Sequence, residues 1–103
     1  MTEPLIVSIP HRLGKEEAVR RLKVGIQEVS EQLKQMVSID EEIWSGDRLT
    51  FRVTALRQQI AGTIDVMDTS VRLELVLPWL LARIASGLRD TITRRGSILL
   101  EKK

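Results

Sequence analysis

The chain has one histidine, His11, in the stretch "SIPHRLGKEEAVRRL". A histidine can serve as general acid, general base or metal ligand, and each role needs a partner. Ser8 lies three residues upstream on a presumed strand and would point away from a residue in the joint that follows. No Gly-x-Ser-x-Gly elbow occurs. With a single histidine and no cysteine, only carboxylates are left as further metal ligands. His11, Leu13 and Gly14 are therefore read as a structural joint, with the imidazole bonded to backbone groups.

The acidic run Asp40-Glu41-Glu42 raises paired-carboxylate chemistry. On a strand, Asp40 and Glu42 would share one face and Glu41 the other. No second acidic group is set against them, so a solvated edge strand is the expected setting. The basic groups Arg20, Arg21, Lys23, Arg94, Arg95, Lys102 and Lys103 could meet phosphates. The only aromatics are Trp44, Phe51 and Trp79, so a base-stacking platform is lacking. Gly14 and Gly62 stand alone and make no phosphate loop. Neither a nucleic-acid partner nor a cofactor is expected, and no catalytic or metal residue is assigned.

These residues need a scaffold. A chain of 103 residues, 43% hydrophobic and 29% charged, supports one core. Net charge is +2, too small to argue for a polyanionic partner. Absence of cysteine removes disulfides and thiolate chemistry. The opening "MTEPLIVSIP" lacks the pattern of a secretory leader, and "LVLPWLLA" is too short to span a bilayer. A cytoplasmic protein is expected.

"LIVSI" (5–9) reads as a strand ended by Pro10. From Lys15, the residues Val19, Leu22, Ile26, Val29, Leu33 and Met36 make one apolar helical stripe, with Gly14 at the N-cap. Gly25 within it suggests close packing against a sheet. Residues 38–44, 49–55, 60–66 and 71–77 alternate as four strands joined by short turns. Pro78 is expected to open a second helix with inner residues Leu81, Ile84, Leu88 and Ile92. Arg94 and Arg95 would lie in its last turn, with Gly96 just past its end. The expected fold is α+β, in the order β-α-β-β-β-β-α. A curved antiparallel sheet carries both helices on one face, as in TATA-binding-protein-like or helix-grip architectures. Residues 1–96 form a single domain and 97–103 a C-terminal tail.

Four motifs come in order: "HRLGKEEA" (11–18), "WSGDRLTF" (44–51), "GTIDV" (62–66) and "VRLELVLPWLL" (71–81). Together they resemble the small bacterial polyhydroxyalkanoic acid system family, also described as polyhydroxyalkanoate granule regulatory proteins. The resemblance covers nearly the whole chain. It implies a non-enzymatic, cytoplasmic protein of storage-polyester metabolism, placed at granules and bound to the granule surface or to a granule-associated protein. It carries no catalytic motif to transfer.

The expected contact patch is Val76, Trp79, Leu80 and Arg83, an apolar group rimmed by Arg83 and Arg89. Trp79 could equally close the end of the core. A different class of function is a carrier for an acyl or hydroxyacyl molecule. Its pocket would be lined by Leu49, Phe51, Val53, Ile64, Leu73 and Leu75 between sheet and helices. Edge strands and exposed leucines are also compatible with a homodimer.

Overall fold

The computed structural model of the chain describes residues 4–55, 57–78 and 83–101. Strand β1 (Leu5–Pro10) leads into helix α1 (Lys15–Leu33). Strands β2 (Val37–Ser45), β3 (Arg48–Ala55), β4 (Gln58–Val66) and β5 (Ser70–Val76) follow, and helix α2 (Ala85–Leu99) closes the chain. The sheet is open and antiparallel throughout, in the order β1-β5-β4-β3-β2. The element order and the α+β class are those expected from the sequence. Among the described residues, no helix is long and apolar enough to cross a membrane.

Alternation creates the inner face. Leu5, Val7 and Ile9 of β1 register with Leu75, Leu73 and Val71 of β5. These continue onto Gly62, Ile64 and Val66 of β4. Phe51 and Leu49 of β3 oppose Gly62 and Ile64. Ala18 and Leu22 of α1 and the buried Leu100 join this core, with Leu88, Ile92 and Leu99 of α2 packed against it. Both helices therefore cover the same face, and the other face is left to solvent.

Two glycines mark close approaches. A Cβ on Gly62 would lie 2.6 Å from Phe51 Cζ and 2.7 Å from the Glu74 carbonyl oxygen. A side chain there would collide with a ring and with backbone, so glycine lets Phe51 and Leu75 meet over β4. A Cβ on Gly25 would lie 2.8 Å from Leu99 Cδ2. Gly25 thus makes room for α2, where the sequence suggested the sheet.

Several expected boundaries move. Pro78 lies outside helix just after β5, residues 79–82 lie outside the described residues, and α2 begins at Ala85. Ile84 precedes that helix and is 51% exposed, so it leaves the expected inner stripe; Leu81 lies outside the described residues. Gly96 is internal to α2, which continues to Leu99. A glycine here keeps the helix close to Ile9, whose Cδ1 would be 2.3 Å from an added Cβ. Residues 97–99 are thus helix and Leu100 is core, where a tail was expected; Lys102 and Lys103 lie outside the described residues. In α1 the apolar stripe is buried or half-buried as far as Ile26 and then emerges into solvent. Met36, at its far end, is 69% exposed. The helix itself ends at Leu33, so Met36 falls in the turn before β2.

Candidate interaction surface

The joint around His11 is held by backbone groups. His11 N–H donates to the Thr69 carbonyl at 2.9 Å, extending the β1–β5 ladder into the β4–β5 turn. Its Nδ1 accepts the Leu13 N–H at 3.2 Å. That leaves Nε2 to carry the proton and donate to the Met67 carbonyl at 2.9 Å. Both ring nitrogens of the buried imidazole are occupied by backbone groups. Gly14 then enters α1 at φ 80°, a left-handed conformation that suits glycine. Among the described residues, no group of His, Asp and Glu side chains is placed to hold a metal ion.

The acidic run folds differently from a plain strand. A bulge interrupts the β2–β3 register between Ile39 and Glu41. Asp40 accepts a hydrogen bond from Thr54 Oγ1, and Glu41 meets Arg52 at 3.4 Å. Thr54 and Arg52 both face away from the helices, so Asp40 and Glu41 share the outer side of the sheet. Glu42 sits opposite inward-facing Phe51. Simple alternation paired Asp40 with Glu42; the extra residue of the bulge breaks that phase. Strand β2 is a free edge, the expected place for such charge.

Basic residues of α1 are mostly engaged. Glu17 accepts from Arg20 Nε at 2.7 Å and Arg21 Nε at 2.9 Å. These two guanidinium groups hold its carboxyl down at about 2, and the same contact raises Arg20. Arg21 also donates to the carbonyls of Leu99 and Glu101 at the end of α2. The cation at this helix C-terminus is therefore Arg21 of another helix, because α2 runs a turn beyond Arg94 and Arg95.

The residues named for a carrier pocket lie together on the inner face, but packed. Leu49 and Leu75 are buried, and Phe51, Ile64 and Leu73 press against the core; Val53 is half-buried. Phe51 and Leu75 fill the space above Gly62. A shallow, open depression lies elsewhere, at the start of α1, bordered by Leu13, Lys15, Glu17, Arg20 and Asp68.

The expected contact patch is described in part. Val76 is 49% exposed on the helix-free face, and Arg83 is exposed just before α2. Trp79 and Leu80 lie outside the described residues. Register adds two neighbours that sequence reading missed. Val76 sits beside Ala61, and Ile6, paired with Glu74, is its diagonal neighbour on the same face. Ile6 is 38% exposed. The signal was present in "LIVSI", where Ile6 is apolar but out of phase with Leu5, Val7 and Ile9. Arg89 of α2 donates to the Ile6 carbonyl at 3.0 Å, tying this edge strand to the helix. Elsewhere the outer face carries the ion pairs of Arg48 with Asp65 at 2.9 Å and of Arg72 with Glu74, outward threonines, and the exposed Ile43 of β2 opposite Thr50. Ile6, Ala61 and Val76 thus form an apolar corner at the β1–β5–β4 end of this side.

The sequence pattern of the family described as "Putative polyhydroxyalkanoic acid system protein" matches residues 5–99. The chain belongs to that family. The match spans every strand and both helices, from Leu5 at the start of β1 to Leu99 at the end of α2. No curated protein and no solved structure matches the chain. Membership ties the protein to the polyhydroxyalkanoic acid system.

Proposed function

We propose that this protein is a non-enzymatic, cytoplasmic component of polyhydroxyalkanoate metabolism that works by binding at the granule, on its surface or on a protein there. The observation that carries the reading is the apolar corner of Ile6, Ala61 and Val76 on the helix-free face, next in sequence to "PWLL" and Arg83. Burying such side chains against an apolar partner contributes about 25 cal/mol per Å² removed from water. Ion pairs elsewhere on the face set this corner off from its surroundings. Family membership supplies the setting. Packing of Phe51 and Leu75 over Gly62 favours this reading over an acyl carrier, which needs that space open.

The test is fractionation of cells that make the polymer. The wild-type chain is expected with washed granules, and Ile6→Ser/Val76→Asp is expected in the soluble fraction with its melting temperature kept. Recovery of wild type only in the soluble fraction, with no granule protein attached, overturns the proposal.

A further inference from the structure

Charge is unevenly placed in this molecule. Residues 83–101 hold Arg83, Arg89, Arg94 and Arg95 against Asp90 and Glu101, an excess equal to that of the whole chain. Helix α2 turns its inner stripe, Ala85, Leu88, Ile92 and Leu99, onto the core. On its solvent side Thr91 and Ile98, seven residues apart, share one face, and Ile84 stands just before the first turn. All three are exposed, Ile98 at 66%. At 100° per residue Arg95 falls on one flank of the Thr91–Ile98 line and Arg94 on the other, with Asp90 one turn from Arg94, while Arg83 precedes the helix. None of these three arginines has an ion-pair partner among the described residues.

The geometry points to the solvent face of α2 as a docking face for an anionic lipid surface. Isoleucines placed between arginines suit a layer with acidic headgroups over acyl chains. The arginines meet the headgroup charge and the isoleucines enter the apolar boundary. A nucleic acid fits less well, because its phosphates offer nothing to Ile84 and Ile98. The opposite side of the same helix is already engaged by β1 and by Leu99 on Gly25, so α2 presents a fixed face. Helix α2 packs on the inner face of the sheet, so its solvent side is a second surface, apart from the corner of Ile6 and Val76, and the inference goes beyond the granule-binding reading.

The test uses the full chain and sedimentation with vesicles. Phosphatidylcholine vesicles with and without phosphatidylglycerol are compared with a DNA duplex. Binding is expected only with phosphatidylglycerol present, and is lost at about 0.5 M salt. Arg94→Glu/Arg95→Glu is expected to weaken it roughly tenfold or more. Ile98→Ser weakens it with those arginines intact. Circular dichroism and the melting temperature certify that each variant is folded. Equal binding to neutral vesicles, unchanged binding by the folded charge-reversed variant, or binding to DNA alone overturns the inference. Wild type that stays on granules yet ignores anionic vesicles overturns this inference alone. Wild type that binds vesicles yet is absent from granules overturns the granule reading alone.

Discussion

Arg21 of α1 donates to the Leu99 carbonyl of α2 at 3.2 Å, across 78 residues of sequence. The same guanidinium reaches the Glu101 carbonyl and, through Nε, Glu17. One side chain thus bonds carbonyls at and just beyond the end of α2 and ties the two helices together. Gly25 beneath Leu99 lets the helices approach closely enough for this bond.

Arg21→Ala is expected to lower stability by about 1 kcal/mol, a modest figure because the group is partly solvated. The loss should be local as well as global. Hydrogen exchange should quicken in the last turn of α2, including the Leu100 N–H now bonded to the Gly96 carbonyl. Unchanged exchange there would show that α2 ends without help from α1.

Acid should act through Glu17. Its folded value of about 2 lies below the ordinary 4.5, because Arg20 and Arg21 hydrogen-bond its ionised form. A depressed folded pKa means the stabilisation is whole above about 4.5 and is lost as pH falls toward 2. Glu17→Gln should therefore flatten the stability curve in that window and leave its shape near neutrality unaltered. The measurement is urea unfolding at a series of pH values. An identical acid slope in the variant contradicts the assignment.

His11→Ala removes the acceptor for Leu13 N–H and the donor to Met67. The expected cost is about 1 kcal/mol or somewhat more, since partly buried backbone groups lose their partners. Granule recovery of the remaining folded protein should be unchanged. If recovery falls while the melting temperature holds, His11 belongs to the binding surface instead.

Two glycines should respond in opposite directions. Gly62→Ala drives a methyl group into Phe51 and the Glu74 carbonyl and is expected to cost about 1–3 kcal/mol. Gly87, exposed in α2, has nothing within 4 Å of an added Cβ. Gly87→Ala should stabilise by about 0.5–1 kcal/mol, through helix propensity and a less flexible unfolded chain. Thermal melts of the two variants check both signs.

What the sequence by itself determined is the element order and the inner face. Period-two alternation in "LTFRVTA" and "VRLELV" has one physical reading, a strand with a buried side, and five such runs with two amphipathic helices leave few arrangements. The recurring threes and fours after Lys15 likewise require a helix. His11 could be placed at a joint because no chemical partner lies within reach of it in sequence.

Only the tertiary structure decided which residues meet. Glu42 lost its expected pairing with Asp40 to a bulge, which depends on the neighbouring strand. Gly96 reads as a helix stop, yet lies inside α2 with the tip of Ile9 packed against it. Arg21 reads as one more solvated cation, and becomes the cap of α2 because Gly25 lets that helix end beside it. Ile6 and Val76, seventy residues apart, become neighbours through register alone. Periodicity records how each segment turns about its own axis; which surfaces come together depends on distances between segments that no local pattern encodes.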